Sequence, residues 1–453
     1  MAALRQLLVT KRWWLLGAVL LVALLAFAAC GEEEAAAPAA TPPAPPEATP
    51  AATPTPVLEP TGEPIKIGVL YGLSSIAAVY TQGAVRGHNL AVTEINDAGG
   101  VLGRPLELIV RETNLSPEVG IRQANSLLFE EDVDFLMGVI SSGVAQAISE
   151  FAKENKIIFI DTIAQASGTT AELGHRYVFR TTTDTVIVGR AGATVLAQRP
   201  ETKYVTIGPD YAFGHDAVDD FLGKLQELNP EVEVVAQLWP PLLNPDFTTF
   251  ITAILEEQPE IVYTSLWGGD LINFIKQAIP FGFFDQTTLV AYNLDLDVLR
   301  ALGSEMPEGI IGGSGFPWYS LDTPEAQEFV ANYFNATGNY PVVGSVLGYN
   351  ATYALAAAIE KAGTTETEAV ADALEGLTFD TPTGPVTIRA LDHQGDPTIC
   401  VGSSTQSEDF NYLYEGLGTL TQPTFPILTD LVCVSGSDVI LSIEEVEARR
   451  AGQ

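Results

Sequence analysis

Residues 65–110 read IKIGVLYGLSSIAAVYTQGAVRGHNLAVTEINDAGGVLGRPLELIV, and this stretch decides the fold. Ile65 to Tyr71 is a short apolar run without period-two alternation, as expected of a strand covered on both faces. Ala84 to Ala98 then places Leu90, Ala91 and Ile95 on one face of a predicted helix. Asn96, Asp97, Gly99 and Gly100 are the residues that stop it. Leu106 to Val110 is the next strand. Strand, amphipathic helix and strand in this order mark an α/β chain with a parallel sheet.

The alternation continues outward. Ser116 and Pro117 open a helix that runs to Leu128, Ser116 as its cap. Asp134 to Val139 and Lys156 to Asp161 read as strands, with a helix over Val144 to Glu154 between them. A second block starts after Thr183. Its predicted helices are Val186–Ala197, Ala217–Leu228, Phe247–Glu257 and Leu271–Ala278. Its predicted strands are Tyr204–Ile207, Glu233–Leu238, Ile261–Ser265 and Thr288–Ala291. Two serial blocks predict two doubly wound Rossmann-like lobes. Helices around Pro324–Ala336, Val346–Ala362 and Glu366–Leu377 have no strands between them, so they must pack on lobes already formed. Short strand-like segments fill Thr387 to Val434. In open α/β sheets ligands bind beyond the carboxyl ends of the strands, so two facing lobes predict a cleft that closes on its ligand.

Upstream, Gly31 to Pro64 is rich in Ala, Pro and Thr and begins with Glu32, Glu33 and Glu34. Such composition cannot supply a packed core. Its prolines predict an extended stalk reaching on the order of 100 Å. Before it, Arg5, Lys11 and Arg12 precede the apolar run Trp13–Ala29, which ends at Ala28, Ala29 and Cys30. A basic start, an apolar core and a small-residue cleavage site describe a secretory signal peptide. It resembles a bacterial lipoprotein signal, with Cys30 as the lipidated first residue and residues 1–29 removed; Phe27 stands where that motif usually has Leu. The competing reading is an uncleaved anchor, since the run approaches the ~17 residues needed to span a bilayer. Either reading puts the body outside the cytoplasm.

The formal charge is −35, and loss of the three basic signal residues makes it more negative. That argues against nucleic acid, which selects basic patches, and against docking on anionic lipid. Beyond Cys30 there are Cys400 and Cys433, which an oxidising compartment allows either to bond or to remain two buried thiols. The four histidines have no zinc-site spacing. No nucleophile elbow, P-loop or G-x-G-x-x-G occurs. The expectation is a binding protein without metal or cofactor, not an enzyme.

Several phrases carry a resemblance: IKIGVL from Ile65, AVTEINDAGG (Ala91–Gly100), VLGRPLEL (Val101–Leu108), DFLMGVISSGVAQAI (Asp134–Ile148), GPDYAFGHD (Gly208–Asp216), EIVYTSLWGGD (Glu260–Asp270) and DHQGDP (Asp392–Pro397). Together they resemble the leucine/isoleucine/valine-binding protein family, the type I periplasmic binding proteins that deliver solutes to ABC importers. The resemblance implies two α/β lobes joined by three crossover segments. One lobe would hold residues 65–183 and 318–378, the other 184–317 and 379–445, leaving 446–453 as a tail. It also implies the site. Ser141 and Ser142 occupy the turn that takes a solute carboxylate at a helix start, where free N–H groups favour an anion. Capping of that helix is the plainer role for both. Tyr80, Phe213 or Tyr211, and Trp267 match aromatics that line the cleft; core packing is the plainer role for each. Gln165, with Ile163 beside it, stands where the family usually has a small or hydroxyl residue. Asn293 falls where amino-acid binders place an acid for the ammonium, with Asp295 two residues on. The resemblance thus implies capture of a small carboxylate-bearing solute, either a branched-chain amino acid or a related amide or organic acid. Its partners would be an ABC permease and, through the anchor, the membrane, with the protein itself a monomer. An extracellular sensor built on the same clamp is the alternative.

Overall fold

The computed structural model describes residues 60–407 and 426–452. Cys30, the apolar run before it and the stalk up to residue 59 lie outside the described residues. Among the described residues no helix is long and apolar enough to cross a membrane.

The first sheet takes β1 (Ile65–Tyr71), β2 (Leu106–Glu112), β3 (Phe135–Gly138), β4 (Phe159–Asp161) and β5 (Val178–Arg180). Between them run α1 (Ala78–Asp97), α2 (Pro117–Phe129) and α3 (Ser142–Asn155). The strand order is β2-β1-β3-β4-β5 and each neighbouring pair is parallel. The chain then forms α4 (Thr185–Leu196), β6 (Lys203–Ile207), α5 (Ala212–Leu228), β7 (Glu233–Leu238), α6 (Thr248–Glu256), β8 (Ile261–Thr264), α7 (Gly268–Ala278), β9 (Thr288–Asn293), α8 (Leu296–Leu302) and β10 (Ile311–Ser314). After α9 (Pro324–Thr337), α10 (Val343–Ala362) and α11 (Thr367–Leu374) come the small pair β11 (Thr378–Phe379) and β12 (Val386–Thr387). The chain ends with β13 (Ile399–Gln406), β14 (Pro426–Val434), α12 (Gly436–Val439) and α13 (Ile443–Ala451). The second sheet has the order β14-β13-β10-β9-β8-β6-β7; β13 runs antiparallel to both its neighbours, β10 and β14, and the other pairs are parallel. These are the two α/β lobes.

Among the elements the structure adds to the expected pattern are β5, α8 and β10. The strand β5 has three residues and β10 reads IGGS, so neither carries a β-branched run. Several helices begin earlier than expected, α5 at Ala212 and α7 at Gly268; the first turn of α5 holds Phe213, which lines a cavity, and that of α7 holds Gly268, Gly269 and Asp270, which add nothing to an apolar stripe. Residues 446–453, expected as a tail, lie largely within α13. Ser442 and Glu445 form its capping box, and Arg449 pairs with Glu172 and Asp220.

Two devices hold the halves' shape. In the first, α10 lies directly on α1. Gly87 permits this approach, since a Cβ there would stand 1.9 Å from Ser345 O. His88 joins the contact, bonding Tyr71 Oη at 2.9 Å and Thr352 Oγ1 at 2.8 Å. The second lies where the chain crosses between sheets. Fully buried Arg180 donates to Asp161 Oδ2 at 3.2 and 3.0 Å, to Ala166 O at 2.9 Å and to Gln394 Oε1 at 3.0 Å. Burial of this charge is tolerable because each face of the guanidinium edge finds an acceptor. Gln394, within the DHQGDP phrase, returns a bond to Thr182 O at 2.7 Å, so the first and last crossings are tied together. Cys400 and Cys433 are cross-strand partners in β13 and β14 and form a disulfide.

Candidate functional site

A cavity enclosing about 810 Å³ of non-atom space, its mouth included, lies at the carboxyl ends of both sheets. Its walls follow the strand ends in turn: Ile140 after β3, Ile163 and Gln165 after β4, and Thr181 to Thr183 after β5. From the second sheet come Tyr211 and Phe213 after β6, Trp267 after β8, Asn293 and Asp295 at the end of β9, and Gly315 after β10. Tyr80 of α1 and Val343, Val346, Leu347 and Asn350 of α10 close one side, and Thr383 with Pro397 to Ile399 another. All three passes of the chain between the sheets contribute, at Thr181–Thr183, Gly315 and Pro397–Thr398.

Helix starts converge here. Tyr211, Trp267 and Asp295, all on the cavity wall, are the residues immediately before α5, α7 and α8. Helix N-termini carry partial positive charge and unpaired N–H groups. These helix starts favour negative charge on a ligand, no basic side chain lines the cavity among the described residues, and the Asp295 carboxyl opposes the helix starts.

The aromatic wall is ordered. Trp267 Nε1 donates to Tyr211 Oη at 3.1 Å, and Phe213 meets Tyr292 edge to face at 5.3 Å. These rings supply an apolar surface for a ligand's body. Against them, three buried polar atoms have no hydrogen-bond partner: Tyr80 Oη, Thr181 Oγ1 and Asn350 Oδ1. Tyr80 Oη lies toward the Gly268 amide without closing a bond to it. Orphaned buried polar atoms are costly in a folded protein, so three on one cavity mark a place where a polar ligand completes the structure. Burial raises the Tyr80 phenol well above its usual range, with Asp295 and Asp297 adding to the shift, so its proton is held for donation.

Asp295 is the charged side chain on the wall. Burial pushes its carboxyl up to about 6, opposed by bonds from the Ser314 hydroxyl and the Gly315 N–H. The Gly315 bond is 3.0 Å. Asp297, the second residue of α8, is raised further by burial and by Asp295. Asn293 is not paired with an ion: its Nδ2 donates to Gln165 Oε1 at 3.0 Å.

Eight of the ten residues singled out from sequence line this one cavity: Tyr80, Ile163, Gln165, Tyr211, Phe213, Trp267, Asn293 and Asp295. Ser141 and Ser142 do not. The Ser142 hydroxyl is spent inward, accepting the Ala166 N–H at 3.1 Å, and Ile140 takes the wall position instead. Neither serine side chain caps α3. Sequence reasoning missed Thr181 to Thr183 and Asn350. The threonines follow a strand too short to recognise, and Asn350 sits in the middle of a helix that reads as core. The signal that marks both is a polar residue at an otherwise buried position.

Three comparisons with known proteins bear on this geometry. Residues 64–406 match the family model described as periplasmic binding protein. A Leucine-, isoleucine-, valine-, threonine-, and alanine-binding protein of Pseudomonas aeruginosa is 24% identical over 336 residues, covering 74% of this chain and 87% of its own. A Leu/Ile/Val-binding protein of Rhizobium johnstonii is 29% identical over 330 residues, covering 71% and 87%. Among solved structures, a periplasmic binding protein from Burkholderia mallei superposes with a TM-score of 0.75 at 20% identity, over 84% of this chain and 97% of that one. An ABC transporter solute-binding protein from R. palustris in complex with benzoate gives 0.71 at 24% identity, over 82% and 97%.

Proposed function

Because the chain belongs to the periplasmic binding protein family, we propose that it captures a small carboxylate-bearing solute between its two lobes and passes it to the permease of an ABC importer. The observation that carries this reading is the cavity at the carboxyl ends of both sheets, whose lining combines aromatic rings with three residues that each hold an unpartnered polar atom. Tyr80 Oη and Thr181 Oγ1 are donors for a carboxylate, the helix starts stabilise its charge, and Tyr211, Phe213 and Trp267 cover its apolar body. The relatives named for amino acids and the neighbour that holds benzoate support both classes of carboxylate as candidates. In this reading the lobes divide at the three crossings, one comprising 65–183 and 318–396 and the other 184–317 and 397–445, so the last boundary falls later than the expected 378/379. The protein works as a monomer outside the cytoplasm, held through lipid on Cys30 by a stalk that keeps it within reach of its permease. It catalyses no reaction.

A thermal-shift panel of branched-chain amino acids, short amides, urea and aromatic acids tests the reading. A ligand at a hundred times its Kd raises stability by about 2.7 kcal/mol, a shift that is easily read. At least one carboxylate should stabilise the protein without being consumed. A flat response across the panel, or turnover of the bound compound, contradicts it. Labelling of intact cells with a radioactive fatty acid, lost on Cys30→Ser, tests the anchor separately.

A further inference from the structure

Two amides meet across the cavity. Asn293 Nδ2 donates to Gln165 Oε1 at 3.0 Å, and Gln165 Nε2 donates to Thr183 Oγ1 at 2.7 Å. Gln165 follows β4 of the first sheet, Asn293 ends β9 of the second, and Thr183 lies on the first crossing between them. A chain of three side chains therefore runs from the crossing segment through one half into the other. All three residues line the cavity. The lips are also in contact. Gly268 adopts φ +53° at the start of α7, and a Cβ there would stand 2.3 Å from Ile76 O of the first half. On the other side the Val343 N–H donates to Asp297 Oδ2 at 2.9 Å.

The chemistry of the pair is specific. A primary amide has one carbonyl oxygen and two N–H groups and is neutral at every relevant pH. Asn293 spends one N–H on Gln165 and keeps its second N–H and its carbonyl oxygen for a ligand. A carboxylate finds donors there. At Asn293 an ammonium group finds a carbonyl dipole in place of a full negative charge and loses the charge-assisted strength that would offset its desolvation, while the neighbouring Asp295 carboxyl is engaged by the Gly315 N–H and the Ser314 hydroxyl.

We propose that Gln165 and Asn293 act as one unit, an amide clasp that holds the halves closed and selects carboxylates carrying no ammonium group. This rests on the solute-binding reading above. The clasp is tested by hydrogen exchange with mass spectrometry on the full chain, comparing wild type, Gln165→Ala, Asn293→Ala and the exchanged pair Gln165→Asn/Asn293→Gln. Each alanine variant should speed exchange in residues 76–85 and 268–278 about fivefold, the effect of losing one neutral hydrogen bond. The exchanged pair should restore protection, and β13 should not change in any of them. Equal protection in all four proteins, or a uniform loss that includes β13, overturns the clasp. The selectivity is tested by calorimetric titration with benzoate and with leucine. Wild type should bind benzoate at least tenfold tighter than leucine, and Asn293→Asp should move that ratio at least tenfold toward leucine. An unmoved ratio overturns the selectivity. Failure of every carboxylate to bind would strike the solute-binding reading, whereas the exchange pattern judges the clasp without any ligand.

Discussion

At the scale of single residues, the site is a set of polar atoms left waiting among rings. Tyr80 shows this best: its ring is buried, yet its hydroxyl has no partner. Tyr80→Phe should therefore leave chemical-denaturation stability unchanged or slightly raised while weakening solute binding by about 1 kcal/mol, roughly fivefold. Asp295 makes a second prediction. Its folded pKa lies near 6, above the ordinary 3.8, so the carboxyl gains a proton as pH falls from 8 to 5.5. Protonation removes a negative charge from the wall, so a solute that is purely an anion should bind more tightly at pH 5.5 than at pH 8. An amino acid held through its ammonium should show the opposite slope. Titrations of the same solute at the two pH values read the sign. Much of this wall was legible because the resemblance to the leucine/isoleucine/valine-binding family marked Gln165, Tyr211, Trp267 and Asn293, and all four lie at or soon after strand ends, where α/β proteins place their ligands. Ser141 and Ser142 had the same position and the right chemistry, but sequence does not say which way a hydroxyl points. That of Ser142 was claimed by the Ala166 amide.

At the scale of elements, the close pairing of α1 with α10 is what brings Asn350 and Tyr80 to one wall. It depends on backbone-to-backbone approach rather than on interlocking side chains, and Gly87 is its tightest point. Gly87→Ala should cost about 3 kcal/mol by forcing the helices apart. Solute affinity should fall with it, because Tyr80 and Asn350 would separate. Denaturation and binding measured on the same preparation check both effects. Each helix was visible from its periodicity, but their contact was not: they lie more than two hundred residues apart, and a glycine in a helix reads first as a weakness. The elements that escaped were the short ones. Three residues of β5 and the glycine-rich β10 owe their strand state to the neighbours they pair with, which is tertiary context acting where propensity is silent.

At the scale of the whole molecule, the described residues form one parallel and one mixed α/β sheet tied by three crossings, with a cavity at their carboxyl ends. The alternation beginning at Ile65 was enough to read two α/β lobes, and the resemblance to the family supplied the three crossings. The state of the two late cysteines was not legible, since spacing cannot report Cα separation, and the structure joins Cys400 to Cys433 across β13 and β14. Replacing both with serine should lower stability by about 2–4 kcal/mol in chemical denaturation. Because Pro397 to Ile399 line the cavity beside that bond, the double variant should also bind solute more weakly. The central claim is that a solute sits between the sheets, and calorimetric titration of the wild type and a cavity-filling Val346→Phe variant tests it most directly. The account predicts one-to-one binding of a small carboxylate by the wild type and its loss in a variant that still unfolds cooperatively. Equal binding by both proteins, or none by the wild type, would contradict it.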